Sequence, residues 1–254
     1  MAILLIFLPL SIALLVLYGL SQATDRLVMR ILGRGWYLAT MWPGVIIHEL
    51  SHLIGCLITF TRVYEVKLFA PSGETLGYVS HRKTRNPISN IIISTAPLFG
   101  TSLVIWLLMR LLLPDAYQQL AGHFNSTIAS GSLLARDALN VYWDAIRHFF
   151  AHISFTDWKT YLFTFFMITL ASHAAPSRID LSHTTIGIIG LAVLFAFIAG
   201  LDSLFHLGFT EQLVHWFSWP LYYMTIFITY SVLFAGIAFV ILAFAALVKR
   251  SVVR

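Results

Sequence analysis

The chain has 254 residues, 59% of them hydrophobic and only 11% charged, with a mean hydropathy of +0.83. A soluble domain carries about 25% charged and about 45–50% apolar residues, so this composition excludes a water-soluble monomer and predicts an integral membrane protein. The formal charge of +5, from 16 basic and 11 acidic residues, does not point to nucleic acid. The basic residues fall in short stretches between apolar runs, where they orient a chain in a lipid bilayer and meet anionic head groups. The single cysteine, Cys56, excludes an intrachain disulfide framework and a Cys-rich metal site.

Six apolar runs reach or approach the roughly 20 residues needed to cross about 30 Å of hydrocarbon as helix: 3–20, 38–60, 90–113, 158–175, 184–201 and 220–248. The expected fold is an all-α polytopic membrane protein of about six transmembrane helices, one domain over 1–254 with its core at 38–181. Ser21-Gln22-Ala23 after the first run resembles a signal-peptide cut. No basic residue precedes that run, however, and it exceeds the roughly 7–15 apolar residues of a signal peptide, so it reads as a retained span. Lys and Arg divide nine to seven between alternate connections, the larger share on the side of the N-terminus. Positive charge favours the cytoplasm, which predicts both termini inside, in a cell (inner) membrane.

The second run is followed by Tyr64, Val66 and Leu68 alternating with Glu65 and Lys67, the period of two that marks a half-exposed strand. Pro71-Ser72-Gly73 supplies a turn, and Leu76-Gly77-Tyr78-Val79 reads as the returning strand of a small hairpin. Between the third and fourth runs, Leu139, Tyr142, Trp143, Ile146, Phe149 and Phe150 recur at helical spacing, as in an amphipathic helix on a membrane surface.

Within the second run stands His48-Glu49-Leu50-Ser51-His52. Residues four apart on a helix share a face one turn apart, so the two imidazoles can grip one Zn²⁺ at about 2.0–2.1 Å each. Glu49 follows the first ligand directly, where it suits a general base acting on water. Chance predicts about 0.006 such matches in a chain of this composition. Glu49 is also the one carboxylate well inside an expected span, where an acidic side chain costs at least about 2.5–3.5 kcal/mol. Cys56, one turn beyond His52, reads as a small buried apolar residue.

A catalytic zinc needs a third protein ligand and an open position. Asp180, in Pro176-Ser177-Arg178-Ile179-Asp180 at the end of the fourth span, is the candidate. The competing uses are a helix cap or a salt bridge to Arg178, and the main rival ligand is Asp202, with His173 after it. His173 lies inside a span seven residues before Asp180 and is a candidate to hydrogen-bond the reacting oxyanion or a ligand, or else to pack against a neighbouring helix carbonyl. Thr59, Thr61, Ser94 and Thr95 are candidates to line a water path, or else each hydroxyl bonds its own helix.

Together these residues resemble the site-2 protease family of intramembrane zinc metalloproteases. The resemblance runs in order over about the first 181 residues: the motif helix at 48–52, the strand-forming loop at 64–79, Ala96-Pro97-Leu98-Phe99-Gly100 after the manner of that family's Gly-Pro-x-x-Asn element, and Pro176 to Asp180 after its Leu-Asp-Gly element. Gly100 stands where the family has asparagine, and Ile179 and Leu181 depart from the last motif, as in a divergent member. The resemblance implies one Zn²⁺ per chain held by His48, His52 and Asp180, with Glu49 as base. It also implies membrane-anchored substrates whose transmembrane helix unwinds and pairs as a strand along Tyr64, Val66 and Leu68. The competing readings are an inactive protease-like membrane scaffold and a zinc transporter; the latter needs further His or carboxylate residues along several spans.

Overall fold

Leu14, Leu17, Ser21, Thr24 and Val28 recur at steps of three and four and are all buried, forming the stripe by which one helix seats against its neighbours. They lie on α1 (Ala2–Ile31) of a computed structural model that describes residues 2–72, 75–82, 86–129, 143–144, 146–147, 149–174, 193, 196–205 and 208–252. The chain continues through α2 (Arg34–Ile58), β1 (Val63–Lys67), β2 (Tyr78–His81), α3 (Pro87–Leu112), α4 (Pro114–Ala129), α5 (Trp158–Ala174) and α6 (Phe209–Val252).

Among the described residues four helical stretches are long and apolar enough to cross a membrane: Ile12–Ile31, Arg34–Ile58, Ile88–Leu112 and Met224–Lys249. They carry the expected runs 3–20, 38–60, 90–113 and 220–248 with shifted ends. The run at 158–175 becomes α5, described over 17 residues to Ala174, and the residues from 175 to 192 lie outside the described ones. The run at 184–201 lies outside the described residues apart from 193 and 196–201.

The largest shift is at α1, which continues to Ile31 and so carries Asp25, Arg26 and Arg30 as helix, not loop. Asp25 takes a hydrogen bond from the Tyr37 side chain of α2, so Glu49 is not the one carboxylate inside a span. Only Leu32 and Gly33 separate α1 from α2. Both of their N–H groups close on the Val28 carbonyl, at 2.9 and 3.2 Å, and Gly33 takes φ 85° and ψ 170°, a region open to glycine alone. Gly33→Ala should therefore cost about 1–3 kcal/mol and lower the unfolding temperature of the detergent-solubilised protein; an unchanged transition would remove the strain argument.

Leu14 and Leu17 pack with Met224, Ile228 and Ala235 of α6, while Val28 packs near Leu242, and Lys249 reaches the Ile31 carbonyl at 3.4 Å. Thus α1 and α6 run in the same direction. The start of α1 and the end of α6 lie at opposite ends of the bundle, where six crossings imply the same end. The main core joins α3, α4, α5 and α6 around Phe149, whose ring centroid lies 4.9 Å from Tyr230 and 5.8 Å from Phe163. Phe149 belongs to the segment expected as an amphipathic surface helix, of which Leu139 and Tyr142 lie outside the described residues; its ring is buried in this core, while Trp143 and Phe150 are exposed. Outward face Leu103, Leu107 and Leu111 of α3 with Val240, Ile241 and Phe244 of α6, a surface that lipid solvates and water does not.

The hairpin forms as expected, β1 pairing antiparallel with β2 (Val66↔Val79, Lys67↔Tyr78) with an irregularity between Val63 and Glu65. It does not project from the end of α2. It folds back along that helix: Leu76 packs against Val28, Tyr37 and Met41, and Arg34 at the far end of α2 donates to the Pro71 carbonyl at 3.0 Å.

Candidate metal centre

His48 and His52 stand one turn apart on α2, with ring centroids 4.8 Å apart at 77° and Nε2 atoms 3.2 Å apart. Each ring is held from behind by a main-chain carbonyl. His48 Nδ1 donates to the His173 carbonyl at 2.7 Å, and His52 Nδ1 donates to the Ile93 carbonyl at 2.9 Å. The Ile93 carbonyl is one the helical ladder leaves over. Ile93 would accept from the N–H four residues on, but that residue is Pro97, which has none. His173 lies close to the end of the described part of α5.

Small residues bring these carbonyls within reach. A Cβ on Gly44, one turn before His48, would run into the Thr169 carbonyl and stand 2.9 Å from His173 Nδ1. A Cβ on Gly55 would stand 3.1 Å from both Ile93 Cα and Ala96 Cβ. The backbone of α2 thus touches α5 on the side of His48 and α3 on the side of His52, the close approach that small residues permit between membrane helices. Gly100, where the resemblance expects asparagine, faces Ser51 of α2 with no room for a side chain.

A carbonyl can only accept, so each Nδ1 carries the ring proton and each neutral ring turns an unprotonated Nε2 toward the other. Two lone pairs at 3.2 Å repel unless a positive species lies between them, a proton or a metal ion. Two nitrogens at about 2.0–2.1 Å from one tetrahedral ion stand about 3.3–3.4 Å apart, so the spacing and the ligand type both fit zinc. Fixing the tautomer through Nδ1 is also how metal-binding histidines are oriented.

Restoring a helical N–H at position 97 would make it compete with His52 for the Ile93 carbonyl. Pro97→Ala should weaken zinc binding by about 10-fold, read by competition with a coloured chelator, while the straightened helix raises thermal stability. Weaker binding without stabilisation, or the reverse, would separate the carbonyl from the metal.

The other expected residues distribute as follows. Asp180, with Pro176 and Arg178, lies outside the described residues. Asp202 sits in the apolar helical segment Ala196–Phe205, and among the described residues no group of three His, Cys, Asp or Glu side chains gathers as a metal cage. His173 is beside the site, but through its main chain; its ring turns back to the Thr169 carbonyl of its own helix at 3.2 Å. The hydroxyls of Thr59, Ser94 and Thr95 bond the carbonyls of Gly55, Asn90 and Ile91 on their own helices, and the Thr61 and Thr59 hydroxyls share a hydrogen bond.

In β1 Tyr64 and Val66 are exposed and Leu68, just beyond it, is half-buried. Glu65 and Lys67 share the other face and bridge at 3.1 Å; the Tyr78 side chain and then Lys67 hold the Glu65 carboxyl below the usual carboxylate range. Exposed on both faces, β1 differs from the half-buried strand that its alternation predicts. Among the described residues its one partner is β2, so its other edge is open.

Sequence reasoning missed the second row of the site. Pro97 was legible as the residue four beyond Ile93, but only the fold shows that His52 comes to that carbonyl. Gly44 and Gly55 flank the motif at helical spacing, a signal for close helix contact that the motif itself overshadows.

Comparison with known proteins finds no match: no family model, no curated protein and no solved structure aligns with this chain.

Proposed function

We propose that this protein is an intramembrane zinc metalloprotease, a divergent relative of the site-2 protease family, cutting a peptide bond in or near the transmembrane segment of membrane-anchored substrates in a cell (inner) membrane. The observation that carries the reading is the pair of Nε2 atoms 3.2 Å apart, each behind an Nδ1 already committed to a main-chain carbonyl. A packing histidine gains nothing from that arrangement; a metal ligand needs it.

In this reading His48 and His52 hold zinc with Asp180 as third ligand. Zinc, when bound, supplies a water of lowered pKa and polarises the scissile carbonyl. Glu49 takes the proton from the attacking water and returns it to the leaving amine. The open edge of β1 binds the main chain of an unwound substrate segment by strand addition, with Tyr64, Val66 and Leu68 meeting its side chains. Six crossings form no part of this proposal, because α1 and α6 run in the same direction and an even number of crossings would set the first and last spans antiparallel.

Elemental analysis of protein purified in mild detergent without chelators tests the reading. One zinc per chain is expected. A preparation that is empty and cannot be reloaded with zinc ends it, and leaves a proton as the species between the rings.

A further inference from the structure

Gly77 precedes β2, on the stretch of hairpin that lies along α2. A Cβ built on it would stand 2.8 Å from Glu49 Cγ, 2.9 Å from the Leu68 carbonyl oxygen and 3.0 Å from the Lys67 carbonyl oxygen. Gly77 is not among the glycines with positive φ, so the position does not call for glycine on torsional grounds. It calls for space. The hairpin main chain is pressed against the Glu49 side chain with no allowance for even a methyl group.

This contact is secured from both sides. The neighbouring Leu76 is seated against Val28, Tyr37 and Met41, Ala70 N–H closes on the Leu76 carbonyl at 2.6 Å, and Arg34 holds Pro71 at 3.0 Å. Two of the three atoms around position 77 are carbonyl oxygens of the hairpin's own first arm. They move only if the hairpin comes apart. The third belongs to a flexible side chain, so an added methyl would displace Glu49 first.

We propose that Gly77 is a positioning residue for Glu49: the hairpin backbone forms the wall that confines the Glu49 side chain beside the His48–His52 pair, and the missing side chain at 77 is what lets that wall come close enough. The inference rests on the protease reading for its consequence in catalysis, but the contact itself does not. Substrate held along β1 is then joined to the proton acceptor through one continuous piece of hairpin, and any shift of that hairpin is felt at Glu49.

The contact is tested without any assay of activity. A cysteine Sγ at 49 takes the place of Glu49 Cγ, and its 2.8 Å separation from a Cβ at 77 is close to the Cβ-to-Sγ distance across a disulfide, about 3 Å from an S–S bond of about 2.03–2.05 Å. In a Cys56→Ala background, which leaves no other thiol, the Glu49→Cys/Gly77→Cys pair should cross-link under mild oxidation, and a Glu49→Cys/Ser80→Cys pair should not. Absence of the cross-link in folded protein overturns the proposal.

The positioning role is tested with Gly77→Ala on a single-span polypeptide carrying an Asn-Pro pair in its apolar segment. Zinc content and KM should stay as in the parent, while kcat falls about 100-fold, the cost of an ångström's misplacement. The same change added to Glu49→Gln should lower the rate no further. Parental kcat, or a loss confined to KM, overturns it. Should the parent bind no zinc and cleave nothing, the protease reading falls, and the cross-link still decides whether Gly77 confines Glu49.

Discussion

Glutamine at position 49 should reduce cleavage by at least about 100-fold, and by up to about 10,000-fold, the span that a positioned general base contributes, with zinc content unchanged. The substitution keeps the length and shape of the side chain, so the Cγ that faces Gly77 keeps its contact. It removes the capacity to accept a proton at neutral pH. Neither imidazole is altered: His48 keeps the His173 carbonyl and His52 the Ile93 carbonyl, so both Nε2 atoms still face each other. Fragment release from a single-span substrate by purified protein, alongside elemental analysis of the same sample, reads both quantities. Unchanged cleavage would take the base role from Glu49; lost zinc would make Glu49 a structural part of the metal centre.

Alanine at His52 should have the second large effect, loss of zinc and of cleavage together. Removing a direct ligand leaves one imidazole from α2, and the loss of affinity should exceed the about 10–100-fold that accompanies loss of a partner behind a ligand. It should therefore exceed the effect of Pro97→Ala, which disturbs only the carbonyl behind the ring. The truncation also strands the Ile93 carbonyl at a point where Pro97 offers no N–H, a cost of about 1–3 kcal/mol for an unsatisfied buried group. Reduced thermal stability in the metal-free state is the expected second readout. If His52→Ala retains one zinc per chain, the ligand pair is wrongly assigned whatever happens to cleavage.

The order of these effects tests the site as a hierarchy. Glu49→Gln separates chemistry from binding, His52→Ala abolishes binding, and Pro97→Ala weakens binding while stiffening α3. A histidine–glutamate cluster used only to pack helices would show none of this ordering, because its members would act on stability alone.

The sequence by itself determined the membrane class, through an apolar content that no aqueous surface tolerates, and the placing of four long helices, through run length. It also determined the hairpin, through a period of two closed by a turn, and the motif that sets two imidazoles on one helical face. Each of these depends on residues near one another in the chain, where periodicity is enough.

Tertiary structure decided what stands behind and around that face. The carbonyls that fix the two rings come from positions 41 and 125 residues away, and periodicity is silent about which helix will lie alongside. The extension of α1 to Ile31 escaped the run-length reading because its second half carries charges, which a helix tolerates when they reach an edge or a partner such as Tyr37. The course of the hairpin escaped too: strand pattern fixes which residues pair, but Leu76 in its apolar socket and Arg34 on Pro71 fix where the pair is laid. Only with the hairpin folded back on α2 does a glycine 28 positions from Glu49 become its neighbour, since close packing is a property of the assembled bundle and of no single segment.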